Sequence, residues 1–439
     1  MRRKIVTSAL IGVILLTASC NGGMAPHVGP APITGDNSGG AIVIYTIYET
    51  PMEQDFYVQK ISAEGDFLWG EKGVFIGSGN GVSSEAVSDG SGGAIVMWAG
   101  FPPEPEGEPP YPGGEVHAAK FDSEGNVEWR RDIPVADHAI PDGSGGVIIA
   151  FDDPYGNLSV LKIDSEGNLP WGEDGVSLGG PAGPSSRDIA SDGSGGVITV
   201  LEIDEYGSQD IIYAQRVDSK GNTLWGSGGV QVFVGPSENA QVVNDGSGGA
   251  VIVFERNTPD GIYAQRIDAG GSVLWGLDGV QVCVGPPHPY NPQIVADGVG
   301  GATVFFVDER GVCARRIDAD GHKLWDEDVE LPATSYYSLV SDGYGGAICV
   351  WYGGGGISAA AQRLDATGTK LWGPDGIMLT FRDLYLPGAV SDGCGGVLIS
   401  WSADVKFRHY EISDVSYYVQ RVDADGNLPW GDEGILLNP

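Results

Sequence analysis

The stretch NDGSGGAVIVF, residues 244–254, decides the fold because most of it recurs along the chain. The motif DGSGG, or a variant with one substitution, occurs eight times. Its copies begin at Asp36, Asp89, Asp142, Asp192, Asp245, Asp297, Asp342 and Asp392. Each copy leads into a short, mostly apolar run such as GAVIVF at 249–254, which is typical of a buried β-strand. No copy has the lysine of a phosphate-binding loop.

A second block, YAQRIDAGGSVLWG at 263–276, follows each apolar run after a connection of variable length. In all eight copies a glycine stands four residues before a tryptophan. The tryptophans are Trp69, Trp129, Trp171, Trp225, Trp275, Trp325, Trp372 and Trp430. The glycine supplies the positive φ of a tight hairpin, so the block predicts a strand, a turn and a strand that carries the tryptophan.

Each repeat therefore predicts four strands, the first of which ends at the DGSGG turn. The tryptophans recur every 50 residues or so, which is about the length of a four-stranded propeller blade. We predict an all-β protein, an eight-bladed β-propeller of four-stranded antiparallel blades. A β-solenoid is the less favoured alternative, because tight hairpin turns pair strands antiparallel.

The expected organisation is a signal peptide at 1–19, a lipidated flexible tether at 20–32 and the propeller at 33–439. The repeats run roughly over 33–77, 84–135, 136–179, 186–235, 239–285, 291–333, 336–380 and 387–439.

The N-terminal segment has the pattern of a secretory signal. Arg2, Arg3 and Lys4 precede an uncharged run that extends to Cys20. The end of this run, LTASC, resembles the lipobox of bacterial lipoproteins, with Thr17 where an aliphatic residue is usual. The resemblance implies that Cys20 is the acylated N-terminus of an exported protein. The lipid alone would anchor it to the periplasmic or extracellular face of the cell envelope. An ordinary signal peptide with a coincidental cysteine is the alternative.

Charge narrows the range of partners. The chain has 59 acidic and 24 basic residues, a formal net charge of −35, and no basic stripe. Such a field opposes nucleic acid and anionic lipid surfaces, and it favours cations or basic partners. We therefore expect no nucleic-acid binding.

The tryptophan block resembles the tryptophan-docking repeat of propellers related to pyrroloquinoline quinone dehydrogenases. The resemblance implies that each tryptophan packs between blades. One departure is that Asp218 precedes Gly221 by three residues, one fewer than is usual in that family. The wider group includes lipid-anchored, eight-bladed propellers that act as non-enzymatic scaffolds in outer-membrane protein assembly.

No pattern in the sequence predicts catalysis. The six histidines lack HxxxH or HExxH spacing, and no GxSxG, Walker or dinucleotide-binding motif occurs. We predict a protein that is not an enzyme, with no catalytic, metal-binding or cofactor-binding residues and no cofactor. Four cysteines remain beyond Cys20, and we expect buried free thiols, although a disulfide stays open. They are Cys283, Cys313, Cys349 and Cys394.

Three repeated features have two interpretations each. The D-x-x-G-N turns, as at Asp122 and Asp423, predict hairpins, with occasional calcium binding as the alternative. The tryptophans predict inter-blade packing, with sugar platforms as the alternative. One cation per repeat predicts an ion pair with the DG aspartate, with a ring that binds an anion as the alternative. These cations are Lys60, Lys120, Lys162, Arg216, Arg266, Arg316, Arg363 and Arg421.

The two rims of the predicted propeller differ. The DGSGG and D-x-x-G turns form one uniform rim, whereas irregular connections at 100–111, 202–210, 285–290 and 403–416 form the other, the variable rim. Binding surfaces favour such loops. By analogy of fold, we expect a non-enzymatic cell-envelope lipoprotein whose monomeric propeller binds a protein or glycan partner, or acts as a scaffold, through the variable rim. A quinone-dependent dehydrogenase-like enzyme and a glycan-binding propeller are the alternatives.

Overall fold

The computed structural model of the chain describes residues 31–50, 53–79, 84–100, 115–179, 186–203, 210–284, 288–333, 337–352, 358–380, 385–408 and 411–438. In these ranges the chain forms eight four-stranded antiparallel sheets, and they contain no helix. The prediction of an all-β, eight-bladed propeller is confirmed.

The strands follow one another in chain order, four to a blade. Blades 1 and 2 contain β1 Ile33–Gly35, β2 Ala41–Thr50, β3 Glu53–Ile61, β4 Val74–Gly79, β5 Ser84–Ser88, β6 Ala94–Gly100, β7 Glu115–Phe121 and β8 Val127–Ile133. Blades 3 and 4 contain β9 Ala136–Pro141, β10 Val147–Asp152, β11 Leu158–Ile163, β12 Val176–Gly179, β13 Ser186–Ser191, β14 Val197–Ile203, β15 Ile211–Val217 and β16 Val230–Val234. Blades 5 and 6 contain β17 Ser237–Asn244, β18 Ala250–Asn257, β19 Asp260–Ile267, β20 Val280–Val284, β21 Tyr290–Ala296, β22 Ala302–Asp308, β23 Gly311–Ile317 and β24 Val329–Leu331. Blades 7 and 8 contain β25 Tyr337–Ser341, β26 Ala347–Tyr352, β27 Ser358–Leu364, β28 Ile377–Thr380, β29 Tyr385–Ser391, β30 Val397–Arg408, β31 Glu411–Val422 and β32 Ile435–Leu436.

The first strands of neighbouring blades contact one another all the way around the ring, including β29 with β1. The first strand of each blade is therefore innermost and lines the central axis. Every blade is built from one continuous stretch of chain, so blade 8 meets blade 1 without sharing a strand with it. Side-chain and turn contacts hold this seam.

The DGSGG turn closes the inner hairpin, as the sequence predicts. In blade 5, Asn244 pairs with Ala250, and the Asp245 Oδ1 accepts the N–H groups of Ser247 and Gly249, each at 2.8 Å. Gly246 and Gly248 have φ values of 78° and 85°, which glycine adopts without strain. The aspartate thus supplies the hydrogen bonds of the turn while the glycines supply its shape.

The core lies between blades rather than within one sheet. Along β18, Val251 and Val253 pack against blade 6, whereas Ile252 and Phe254 pack against blade 4. Because both faces of the strand are buried, its sequence is apolar throughout and does not alternate between apolar and polar residues. This arrangement explains the apolar run after every DGSGG copy.

The prediction that the fourth strand carries the tryptophan is wrong in seven blades. In blade 5, Val273 forms an isolated bridge with Ile267, and the chain then leaves the sheet until β20 begins at Val280. Over this gap the Gln265 side chain replaces a neighbouring strand. It accepts the Trp275 N–H at 3.0 Å and donates to the Gly276 carbonyl at 2.6 Å. In blade 2, by contrast, Trp129 lies within β8.

Candidate functional site

The repeated cation forms the predicted ion pair inside its own blade. In blade 5, Arg266 Nη2 lies 2.8 Å from the buried Asp245 Oδ2. The other seven pairs have N–O distances of 2.9 to 4.0 Å. They are Lys60–Asp36, Lys120–Asp89, Lys162–Asp142, Arg216–Asp192, Arg316–Asp297, Arg363–Asp342 and Arg421–Asp392. Burial alone would raise the pKa of Asp245, but hydrogen bonds from Arg266 and Ser247 lower it overall. Because each cation already has a carboxylate partner, the geometry does not favour an anion-binding ring.

The same cation also joins its blade to the next one. Arg266 Nη1 donates to the carbonyl of Ala319 in blade 6 at 3.0 Å. The indole Nε1 of Trp275 donates to that carbonyl as well, at 3.1 Å. A Cβ on Gly321 would come within 3.3 Å of the indole, so the glycine lets the ring lie flat on the turn. The tryptophans therefore pack between blades, as predicted, and do not form open sugar platforms.

The D-x-x-G turns use their aspartates internally. Asp122 Oδ1 accepts the N–H groups of Glu124 and Asn126, and Asn126 Nδ2 donates to Asp122 Oδ2 at 2.8 Å. These hydrogen bonds lower the pKa of Asp122. The turn is a hydrogen-bonded hairpin, and this geometry favours the structural interpretation over calcium binding.

One turn brings together three groups that could ligate a metal ion. The ligand atoms of Asp318, Asp320 and His322 lie within 4.8 Å of one another in blade 6. However, Asp318 Oδ1 already accepts the N–H groups of Asp320 and His322, as in the other turns. The trio lies at an open hairpin tip, and we assign it no metal.

The four cysteines that the structure describes are free thiols. Cys313 and Cys349 are buried and Cys283 is half-buried, but Cys394 is exposed. The expectation of burial is therefore wrong for Cys394, because this residue occupies the outward third position of a DGxGG turn. Burial, together with the Asp308 carboxylate, raises the pKa of Cys313 to about 12, so this thiol is a poor nucleophile.

One histidine resembles part of a catalytic pair. The His117 Nδ1 lies 2.7 Å from Asp132 Oδ1, and its Nε2 lies 2.8 Å from the carbonyl oxygen of Gly100. Both ring nitrogens are engaged and the residue is buried, so no ring nitrogen is left to activate a nucleophile. The interaction positions β7 against its neighbours.

On the variable rim, the described strands of two neighbouring hairpins are longer than those of the other six blades. Strands β30 and β31 each have 12 residues, and β2 and β3 have 10 and 9. The second and third strands of the other six blades have 6 to 8 residues. The predicted irregular segment 403–416 is instead largely an extension of β30 and β31. The two long hairpins meet across the seam, where Thr46 Oγ1 lies 2.8 Å from Tyr417 Oη.

Across the ring, at blades 4 to 6, two buried glutamates support bulged strands. The register of blade 5 shifts between Glu238 and Gln241, and the Ala240 N–H inside that bulge donates to Glu202 of blade 4. The equivalent bulge of blade 6 lies between Tyr290 and Gln293. Its Asn291 N–H donates to Glu255 Oε1 of blade 5 at 2.7 Å. A bulge leaves backbone groups without ladder partners, and these carboxylates supply the acceptors.

Burial changes the acidity of four carboxyl groups between the inner strands. It raises the pKa of Glu85 to about 8, that of Asp188 to about 6, and those of Glu202 and Glu255 to about 7 each. Glu85 accepts the Ala139 N–H of blade 3, and Asp188 accepts the Val242 N–H of blade 5. All four thus join neighbouring blades, and sequence reasoning missed all four. For Glu202 and Glu255 the available signal was a glutamate at the end of an apolar run, TVLE and IVFE, whereas Glu85 and Asp188 have no such signal.

Several predicted features lie outside the described residues. They are the signal peptide at 1–19, Cys20, most of the tether, nearly all of the 100–111 loop, most of the 202–210 segment and half of the 285–290 segment. In the part of the chain that the structure describes, no helix has the length and apolar character to cross a bilayer.

Comparisons with known proteins give little beyond this geometry. No protein-family model and no curated protein matches the chain. Among solved structures, a eukaryotic initiation factor is 8% identical, covering 88% of this chain and 86% of its own, with a TM-score of 0.47. Puromycin hydrolase is 13% identical, covering 86% and 59%, with a TM-score of 0.47. Dipeptidyl peptidase 4 of Porphyromonas gingivalis is 10% identical, covering 90% and 58%, with a TM-score of 0.46. The chain thus spans less than two thirds of the last two proteins, and likenesses this distant carry no argument about function.

Proposed function

We propose that this chain is an exported protein of the bacterial cell envelope, attached through a lipid on Cys20. Its monomeric propeller is a non-catalytic scaffold or binding module. A protein partner binds the variable rim, chiefly at the long hairpins of blades 8 and 1.

The observation that supports this proposal is a contrast between the repeated groups and the long hairpins. The repeated aspartates, cations and tryptophans are engaged in contacts within and between blades, so they build the ring. Strands β30 and β31 continue past the Tyr417 contact, and their register reaches Arg408 and Glu411. A hairpin of ordinary length would complete the blade. The additional length extends the surface of the rim, and such projections on rigid scaffolds commonly bind partners.

Part of each long hairpin has a structural role. Ile47 and Val405 pack against the cluster that fills the seam between blades 1 and 8, and Thr46 contacts Tyr417. The base of each hairpin therefore stabilises the seam. Val415 is buried in the same cluster, so the base of this hairpin extends to the pair Lys406–Asp414. The segment of β30–β31 beyond that pair lies further out, and we assign partner binding to it.

The test is to shorten blade 8 while keeping the seam. Residues 407–413 are replaced by Asn-Gly, so that Lys406 and Asp414 are joined by a two-residue turn and the seam residues Val405 and Val415 are kept. Captures from solubilised envelopes with the wild-type lipidated protein should retain a stoichiometric protein partner, which the shortened protein loses while its melting temperature stays within a few degrees. Equal retention by both proteins would contradict the assignment to this hairpin. A Cys20→Ala protein that still sediments with membranes would contradict the lipid anchor.

A separate measurement tests the non-enzymatic part of the proposal. The purified protein is incubated with calcium and pyrroloquinoline quinone, dialysed, and assayed for bound quinone and for dye-linked oxidation of alcohols and sugars. We expect no stoichiometric quinone and no oxidation. One bound quinone per chain with turnover would replace the proposal by the dehydrogenase-like alternative.

A further inference from the structure

The DGxGG turns of blades 6 to 8 lack the serine of the other five turns, whereas exposed leucines after the outer turns occur in blades 1, 4 and 5 as well as 6 and 7. The third residue of the DGxGG turn is an exposed serine in blades 1 to 5. In blades 6, 7 and 8 it is Val299, Tyr344 and Cys394. Val299 is 75% exposed and Tyr344 is 70% exposed, so neither side chain contributes much to the core.

These residues replace a useful turn contact. In blade 5, Ser247 Oγ donates to Asp245 Oδ2 at 2.8 Å, and the serines of blades 1 to 3 make the same hydrogen bond. Valine and tyrosine cannot reproduce it in blades 6 and 7. The sequence therefore gives up a side-chain hydrogen bond in each turn and gains exposed apolar surface that contributes little to the core. A binding function of this surface explains the replacement of serine by valine and tyrosine better than a gain in the stability of the fold does.

Other exposed apolar side chains lie near the outer turns of these blades in the sequence. The Tyr344 ring leans over blade 8, where a Cβ on Gly395 would come within 2.9 Å of its Cε2 atom. Leu324 and Leu371 follow the outer turns of blades 6 and 7 and are 50% and 44% exposed. The Leu371 N–H donates to the backbone of Arg363, whose guanidinium lies 5.5 Å from the Tyr344 ring centre.

Acidic side chains outnumber basic ones near these leucines in the sequence. The exposed carboxylates near them in blades 6 and 7 are Asp320, Asp326, Glu327 and Asp375, whereas the nearby lysines are Lys323 and Lys370. The whole chain has a net charge of −35, which disfavours a second copy or an anionic lipid surface as the partner. Interleaved leucines and carboxylates instead complement a segment that has both apolar and cationic side chains.

We propose that the uniform rim of blades 6 to 8 is a second docking surface that binds a cationic, amphipathic segment of a partner protein. The surface lies on the rim opposite the long hairpins. Its failure and the failure of the variable-rim proposal are therefore distinguishable.

The test uses the Cys20→Ala protein and two fluorescent peptides, one of alternating Lys and Leu and one of alternating Glu and Leu, at physiological salt. The variant V299S/Y344S carries the serine that five other turns have, so it should fold at least as well as the parent. The control L68S/Y155S removes two exposed apolar side chains elsewhere, which are 50% and 83% exposed.

We expect the Lys/Leu peptide to bind the parent and the control equally, and V299S/Y344S at least about tenfold more weakly. The Glu/Leu peptide should not bind. If the Lys/Leu peptide binds all three proteins with equal affinity, general charge attraction accounts for the binding and the proposal is overturned. Two further outcomes would overturn it in favour of another occupant. One is parent-specific dimerisation in analytical ultracentrifugation, and the other is parent-specific co-flotation with phosphatidylcholine vesicles.

Discussion

The indole Nε1 of Trp430 donates to the carbonyl oxygen of Ala63 across 3.1 Å, and this contact joins the last blade to the first. Arg421 Nη1 donates to the same carbonyl at 3.4 Å. Each of these contacts has the geometry found at the other blade interfaces, such as Trp225 to Ala269. The ring therefore closes by repeating its ordinary interface once more, without a strand exchanged between the chain ends.

The seam should open first when its tryptophan is removed. Trp430→Ala leaves a cavity in the cluster between blades 8 and 1, and we expect a loss of about 3–5 kcal/mol in the free energy of unfolding. Trp225→Ala is the matched control at an interface whose blades are also joined by the chain. Hydrogen exchange should accelerate chiefly in blades 1 and 8 for Trp430→Ala and in blades 4 and 5 for Trp225→Ala. A uniform acceleration in both variants would show that the seam has no separate opening.

A hydrogen bond between the long hairpins should contribute modestly to the seam. Tyr417→Phe removes the hydroxyl that contacts Thr46 Oγ1, and we expect a loss of about 1 kcal/mol in denaturant unfolding. Tyr155→Phe removes a hydroxyl from a side chain that is 83% exposed and should change nothing measurable. If both variants unfold at the same denaturant concentration as the parent, the contact does not stabilise the seam.

The sequence predicts the features that depend on contacts repeated in every blade. The DGSGG hairpin, the pair Arg266–Asp245 and the docking of Trp275 all follow from identical spacing in successive copies. The position of the fourth strand does not follow from this repeated spacing. It depends on the Gln265 side chain, which substitutes for a backbone partner and so lets Trp275 leave the sheet.

The sequence also does not predict features that occur in only one or two blades. Glu255 accepts a hydrogen bond from Asn291, 36 residues away and in another blade, and nothing local marks that contact. The exposure of Cys394 depends on its place in the turn rather than on its own apolar character. The uniform rim therefore has distinctive residues, although its backbone is the more regular of the two.

The ion pair within each blade should be far more sensitive to loss of the aspartate than to the identity of the cation. Asp245→Ala removes the acceptor of two backbone N–H groups and leaves the largely buried Arg266 without its carboxylate, so we expect a loss of about 3–5 kcal/mol. Arg266→Lys should cost about 1 kcal/mol or less, because blades 1 to 3 have lysine at this position. Urea unfolding of both variants gives the comparison. A loss for the lysine variant as large as that for the alanine variant would contradict this account of the pair.

Stability should fall as the pH rises from about 5 to 8. Glu202 and Glu255 have pKa values raised from 4.5 to about 7, so the folded protein holds protons that the unfolded chain releases. The favourable contribution of such a group is complete below pH 4.5 and is lost as the pH rises through about 7. For Glu255 the shift corresponds to a change of about 3 kcal/mol across that window. Glu85, with a pKa of about 8, extends the loss to higher pH.

The variant Glu255→Gln isolates one of these groups. The amide oxygen can still accept the Asn291 N–H, but the side chain no longer ionises, so the decline in melting temperature between pH 5 and 8 should become shallower. Glu124→Gln is the control, because this exposed glutamate lies on the opposite rim and should leave the pH dependence unchanged. The measurement is thermal unfolding at several pH values and constant ionic strength. A parent protein that is equally stable at pH 5 and pH 8, or a Glu255→Gln variant with the parent slope, would show that this buried carboxyl is not the source of the effect.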